Sequence, residues 1–302
     1  MCIFGWSSAA LVCAHGGGNP GTSCDNIAHS EEEYIHPSPQ SEIDESALHF
    51  AEVWTLFARR ARSGEVSRQA GLTLACSHVT WPILNSAFLI DAVADADDLR
   101  HRLQSAEQFF AARHLGWMFF PCESWMPDPL RGSVPQICAE FGLQRIMNMV
   151  GMVASGPTQP LRPLPSLEFR TTPREPVRIA LAEVNAAAYQ LPREIALEPI
   201  NVEDLWADDA VGFVGYAEGQ PVTSACVVVN RNVLYVALVA TRPDCRNQGY
   251  AETAIRFGLE AMRKRTALQR TILHATPAGL KLYEQMGYRA VANFPAYLTL
   301  AH

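Results

Sequence analysis

The sequence predicts an α+β protein: a mixed, mostly antiparallel sheet flanked by helices, built as two similar domains in tandem. Three observations carry this. First, residues 210–217, 222–229 and 233–240 are consecutive apolar, strand-like runs joined by Glu218-Gly219-Gln220-Pro221 and Asn230-Arg231-Asn232. The Gly and Asn of those turns tolerate positive φ, so the runs form a meander. Second, strands and helices do not alternate regularly, which argues against a doubly wound parallel sheet. Third, the halves match when shifted by 145 residues: Ala139-Glu140-Phe141-Gly142-Leu143 lies over Glu284-Gln285-Met286-Gly287-Tyr288, and Asn148 over Asn293. Such self-similarity is the mark of an internal repeat.

Composition sets the bounds. A chain of 302 residues, 48% hydrophobic and 18% charged, has apolar surface for two cores. The net charge of -7 excludes a protein that grips a nucleic-acid backbone by general electrostatics, and it leaves small molecules or peptides, cationic amines among them, as partners. Eight cysteines are scattered with no CxxC pair and no histidine at ligand spacing. They read as reduced thiols of a cytoplasmic protein without a metal site. The apolar run 3–14 has no basic residues before it and is too short to span a bilayer, so no membrane partner is expected.

Residues 1–45 form a leader, rich in Gly, Pro, Ser and acidic side chains over 15–46. The first domain, 46–155, opens on a helix with Leu48, Val53, Leu56, Phe57 and Ala61 at helical spacing, capped by Asp44 or Ser46 and ended near Gly64. Apolar runs at 72–76 and 83–93 follow, then a helix over 97–114 and a strand over 117–121. After a Pro-rich loop come a short helix over 134–141 and a strand around 145–153. Residues 121–132 hold an exposed Trp125 and acidic groups able to cover a cationic ligand. Four prolines make 156–168 a stiff linker. The second domain, 169–302, begins with a strand near Phe169 and helices over 175–189 and around Glu203. Beyond the meander lie a helix over 249–264, a strand over 271–275, a helix over 278–286 and a closing strand over 297–300.

The chemistry concentrates where the β-branched run at 236–241 leads into Arg246-Asn247-Gln248-Gly249-Tyr250-Ala251 and straight into a helix. Amides at such a loop converge on one concavity, the helix dipole favours an anion there, and the bare Gly249 lets phosphate oxygens reach the main chain. Arg242 and Arg246 add charge. A second motif follows at 274–288, a strand end and then a helix that carries Tyr283 and stops at Gly287.

With these two segments the chain resembles the GNAT acetyltransferase superfamily: its fourth strand and R/Q-x-x-G-x-G/A loop match residues 236–251, and its L-Y-x-x-x-G-F/Y segment matches 282–288. The resemblance spans roughly 169–300 and implies the GNAT fold, with acetyl-CoA as co-substrate. It implies that the diphosphate meets the amides of Arg246, Asn247, Gln248, Gly249, Tyr250 and Ala251. The pantetheine arm would pair with Val239, Ala240 and Thr241, and the Val239 amide would hold the thioester carbonyl. Tyr283 falls on the family's frequent general acid. Thr276 stands where the family often has Asn, and Tyr235 where some members carry a glutamate base.

The chemistry supports those roles: an amine attacking a thioester builds charge on the carbonyl oxygen, which a fixed N–H stabilises, and expels a thiolate, which a phenol protonates. His274 and Glu198 are the candidate bases. The first half lacks the glycine loop, and Cys138 stands at the place of Tyr283 under the 145-residue shift, so that half is expected to bind no cofactor; the chain then resembles tandem GNAT proteins, which implies that this copy shapes the acceptor pocket. Two functions remain: an N-acetyltransferase acting on an amine of a small molecule or peptide, or a non-catalytic acyl-CoA-binding module.

Overall fold

The computed structural model describes residues 39–299; most of the expected leader and its apolar run, Cys2, Cys13, Cys24 and the last residues, 300–302, lie outside the described residues. Eleven strands form one continuous mixed sheet in the order β1-β2-β3-β4-β11-β5-β10-β9-β8-β7-β6. In chain order the strands are β1 (Glu65–Gln69), β2 (Leu72–Cys76), β3 (Asn85–Leu89), β4 (Trp117–Phe120), β5 (Gln144–Ala154), β6 (Glu168–Thr171), β7 (Ala210–Ala217), β8 (Gln220–Asn230), β9 (Val233–Thr241), β10 (Thr271–Ala275) and β11 (Arg289–Thr299). The helices are α1 (Pro39–Arg60), α2 (Ala96–Ala111), α3 (Asp128–Arg131), α4 (Val134–Glu140), α5 (Glu175–Tyr189), α6 (Arg193–Ile200), α7 (Tyr250–Thr266) and α8 (Leu280–Gln285).

The repeat expected from the sequence is written into strand register. β5 and β11 pair antiparallel with Met149 opposite Phe294, residues that are themselves 145 apart. Exchanging the copies, by adding 145 on one strand and subtracting it on the other, turns Asn148↔Pro295 into Asn293↔Val150 and Met147↔Ala296 into Ala292↔Gly151. It likewise turns Arg145↔Tyr297 into Ala290↔Met152 and Gln144↔Leu298 into Arg289↔Val153. Even the irregularities correspond, since Ile146 and Val291 are the residues skipped on the two strands. A local two-fold axis therefore passes between Met149 and Phe294. The turns after α4 and α8 repeat as well: Leu143 N–H donates to Cys138 O at 3.1 Å and Tyr288 N–H to Tyr283 O at 2.9 Å.

One face of the sheet carries α1, α5 and α6 over a core that runs through both halves, including Phe50, Phe120, Leu181, Tyr235 and Phe294. The other face carries two separate cores, one under α2 and α4 with Leu99, Phe110 and Phe119, the other under α7 and α8 with Ile255, Leu259 and Met286. Alternate residues of β9 supply opposite faces, Tyr235 one way and Leu234 and Val236 the other, as strand geometry dictates.

Several boundaries differ from the sequence reading. α1 starts at Pro39 instead of Ser46, because Pro suits a first helical turn and because Glu42 and Glu45 are tied to Arg270, with Glu42 also on Arg289. Asp44 and Ser46 are thus inside the helix and cap nothing. The helix expected around Glu203 is a single 3-10 turn, Glu203–Leu205, and the true helix, α6, lies before it. The closing strand begins at Arg289, since pairing with β5 holds Asn293 and Pro295 extended. The run 83–93 contains a 3-10 turn, Pro82–Leu84, before the shorter β3. Trp125 is half-buried, its indole N–H donating to Asp44 Oδ1 at 2.8 Å, so it is not free to cover a ligand. Cys76, Cys122, Cys138, Cys226 and Cys245 are free thiols. No helix among the described residues is long and apolar enough to cross a membrane.

Candidate functional site

β9 and β10 run parallel but pair only at Leu234↔Thr271, Tyr235↔Ile272 and Val236↔Leu273. Beyond Val236 the two strands part, so the far end of β9, which holds Val239, Ala240 and Thr241, has no strand beside it on that side. A bulge in the β8–β9 ladder, between Ser224 and Cys226, falls at the same point, with Leu238 at φ 48°. Leu238 and Val239 stay half-exposed within an otherwise buried strand. The slot is therefore open. Its outer main-chain groups are not all free, however: the Tyr189 hydroxyl donates to Val239 O at 3.1 Å, leaving that carbonyl one lone pair. Thr241 Oγ1 lies 2.9 Å from Thr223 Oγ1 on the neighbouring strand.

β9 points into the loop that precedes α7. Gly249 is the N-cap of α7 at φ 85°, and among the described residues no side chain caps the helix. Arg246, Asn247 and Gln248 are exposed and Tyr250 and Ala251 half-buried, so the loop faces solvent. The contrast with α2, the matching helix of the first half, is chemical: there Asp95 Oδ1 accepts from Asp97 N–H and Asp98 N–H, both at 2.9 Å. A carboxylate fills the anion position of α2, whereas the amides of α7 are left open. Of the two expected charges, Arg242 is shared with Asp244 at 3.3 Å and Arg246 donates to Ala188 O at 2.9 Å.

The linker supplies a residue that sequence reasoning missed. From Gly156 beside Arg263, through Thr158, whose N–H donates to Met286 O at 3.0 Å, it runs back along α7 to its N-terminal end. There Pro165 Cδ lies 3.2 Å and Arg162 Nη2 3.6 Å from where a Cβ on Gly249 would stand. Arg162 is exposed and, among the described residues, makes no ion pair or hydrogen bond. Only its charge hinted at a role, because linear spacing says nothing of where a linker returns.

Tyr283 sits on α8, buried against Tyr288 with ring centroids 5.9 Å apart. Gly279 makes room for its ring, since a Cβ there would lie 2.9 Å from Tyr283 Cε2. Burial, and then Tyr189 and Tyr288 close by, drive its pKa far above the ordinary phenol value, so its hydroxyl stays protonated at any physiological pH. Thr276 is half-buried just past β10, and its carbonyl accepts from Gly279 N–H at 2.9 Å.

The candidate bases are both engaged. His274 Nδ1 is 2.8 Å from the Tyr235 hydroxyl and Nε2 is 3.2 Å from Ser46 Oγ, with Phe50 stacked on the ring at 3.9 Å. Burial, then His49 nearby, holds its pKa well below the usual imidazole value. With both nitrogens bonded, His274 ties α1 to β9 and β10 and has no lone pair for a substrate. Glu198 is exposed and accepts from Thr80 N–H at 2.7 Å. Among the described residues, Glu65, Cys76 and His78 bring ligand atoms within 4.8 Å of one another. Arg113 already pairs with that carboxylate, and burial pushes the Cys76 thiol up to about 11, so the cluster suits the Arg113 guanidinium and not a metal ion.

Residues 179–288 match the model of the Acetyltransferase (GNAT) family and constitute a GNAT domain. Among solved structures, the fold is similar to a GCN5-related N-acetyltransferase from Kribbella flavida, at 17% identity and TM-score 0.62 over 84% of this chain and 94% of that one. It is also similar to a functionally unknown conserved protein from Staphylococcus epidermidis, at 12% identity and TM-score 0.58, covering 78% of this chain and 93% of that one. A search of curated sequences returns no match.

Proposed function

We propose that the protein is an N-acetyltransferase that moves an acetyl group from acetyl-CoA to an amine of a small molecule or peptide within a ternary complex. One observation supports this reading: the unpaired end of β9 runs into the N-terminus of α7, which no described side chain caps, the order in which a pantetheine arm and its diphosphate would lie. The diphosphate would lie on the amides of Arg246, Asn247, Gln248, Gly249, Tyr250 and Ala251, with Arg162 alongside. Val239, Ala240 and Thr241 would flank the arm, and Thr276 the far wall of the slot.

The amine lone pair attacks the thioester carbon, and the Val239 N–H stabilises the oxyanion as the C–N bond forms. As the C–S bond breaks, the thiolate takes the Tyr283 proton, and the ammonium proton leaves to water, from which Tyr283 is reprotonated. Residues 46–155 serve as a degenerate copy that binds no cofactor, a role supported by Asp95 on the α2 amides with Asp97 and Asp98 beside it. Residues 156–168 are the linker and 169–302 the cofactor-binding copy.

A second reading, a non-catalytic acyl-CoA-binding module, is favoured by one observation: Tyr235 replaces the strand glutamate, and both nitrogens of His274 are occupied. A thiol-release assay over a panel of amines, run with wild type and Tyr283→Phe, tests the choice. Turnover that falls in the variant supports the enzyme, and CoA binding without turnover on any amine supports the module.

A further inference from the structure

Around the β9 bulge, three consecutive carbonyls are held by side-chain hydroxyls. Ser224 Oγ donates to Leu238 O at 3.2 Å, the Tyr189 hydroxyl to Val239 O at 3.1 Å and Thr223 Oγ1 to Ala240 O at 2.9 Å. Leu238 takes φ 48°, a left-handed conformation that strains a leucine, so the bulge persists only where its surroundings hold it.

Behind Ser224 stands Asn185 of α5, one turn before Tyr189. Asn185 and Ser224 are both 0% exposed, so neither can touch a ligand. Asn185 Nδ2 donates to Leu181 O at 2.9 Å and to Ser224 Oγ at 3.1 Å. These partners fix the direction of the chain of bonds. Leu181 O only accepts, so the amide nitrogen must face it; Ser224 Oγ receives from that nitrogen, and Leu238 O only accepts, so the Ser224 proton lies on Leu238 O. Asn is a poor residue for a helix interior and its amide is costly to bury, so packing alone would favour an apolar side chain at this place.

A peptide unit is planar and trans, so its N–H points opposite to its C=O. The unit that carries Leu238 O also carries the Val239 N–H. With Leu238 O turned to Ser224 on β8, that N–H is directed away from β8, toward the side on which β9 has lost β10. Donation to the carbonyl of an amide also strengthens its N–H as a donor, because aligned hydrogen bonds polarise one another by about 10 to 30% per bond.

We propose that Ser224, held by Asn185, is the positioning residue of the oxyanion donor: it fixes and polarises the peptide between Leu238 and Val239, so that the Val239 N–H meets the thioester oxygen already aligned. This rests on the acyltransferase reading. Tyr189 and Thr223 hold the next two peptide units, so residue 239 is clamped on both sides and little reorganisation is left for the reaction.

The test uses the full chain and acetyl-CoA isotopically labelled at the thioester carbonyl, so no acceptor is needed. Isotope-edited infrared spectroscopy reads the stretch of the bound carbonyl, and calorimetry reads affinity. In wild type the stretch should lie below that of free acetyl-CoA, as it does for a carbonyl on a strong donor. Ser224→Ala should move it back toward the free value with affinity unchanged, and Ser224→Thr, which keeps the hydroxyl, should retain the wild-type value. Asn185→Leu leaves the hydroxyl but withdraws its partner, and should give a smaller shift in the same direction; it decides the matter if circular dichroism shows Ser224→Ala unfolded. A wild-type stretch equal to that of free acetyl-CoA, the same stretch in wild type and the folded variants, or a Thr variant that reads like Ala would overturn the assignment. Failure of the wild-type chain to bind acetyl-CoA would instead remove the acyltransferase reading beneath it.

Discussion

Asn148 Nδ2 donates to Asn293 Oδ1 at 3.0 Å, one residue away from the axis that relates the two halves. The strands that bear them are each bracketed by the other half: β11 sits between β4 and β5, and β5 between β11 and β10. Neither half can keep its sheet without the other, which predicts one cooperative unfolding transition. Urea denaturation followed by tryptophan fluorescence and by far-ultraviolet circular dichroism should give coincident curves, and residues 169–302 expressed alone should aggregate through the exposed edge of β10. Two separate transitions would contradict this.

The element pattern of the second half was legible because its signals are local. β7, β10 and α5 have the bounds that β-branched runs, turn residues and helical spacing imply. The shift that set Asn148 over Asn293 foretold the dyad. Tertiary partners were not legible. Nothing near Pro39 announces that Glu42 will meet Arg270 and Arg289, and no spacing tells that Arg162 returns to Gly249. The glycine loop and Tyr283 could be read because a diphosphate and a leaving thiolate need particular residue types at fixed spacing.

Tyr283→Phe removes a proton donor while keeping the ring against Tyr288. kcat should fall about a hundredfold with acetyl-CoA affinity unchanged, as expected for one general acid. Because its pKa is raised, wild-type activity should show no loss from Tyr283 ionisation as pH rises through the ordinary phenol range near 10. Steady-state kinetics and isothermal calorimetry check both halves of the prediction.

His274 should govern acid stability. Its pKa in the folded chain is depressed below 6.5, so the unfolded chain takes up the proton first. The stability it contributes is present above pH 6.5 and is lost as pH falls below that value. Melting temperature measured against pH should decline below this point in wild type and decline less steeply in His274→Gln. Parallel curves would show that the ring is not held neutral.

Arg162 has no partner among the described residues and stands beside the N-terminal end of α7. Arg162→Ala should weaken CoA about tenfold, the effect of losing one charge-assisted contact, and leave binding of a short pantetheine thioester unchanged. Dephospho-CoA locates the contact: a loss that persists with it assigns Arg162 to the diphosphate, and a loss that vanishes assigns it to the ribose phosphate. Equal CoA affinity in variant and wild type would exclude Arg162 from the site.

The difference between the two copies gives the most direct test. Asp95 closes the amide end of α2 with its own carboxylate, and Gly249 leaves the equivalent end of α7 open. Gly249→Asp should therefore set a carboxylate beside those amides, and because a side chain at φ 85° strains the loop, Gly249→Asn is the uncharged control that should bind CoA better than the Asp variant. Calorimetry with CoA should show one site on the wild-type chain and an affinity about a hundredfold lower or worse in Gly249→Asp, with the fold intact by circular dichroism. No heat with the wild type, or equal affinity in the variant, would contradict the account.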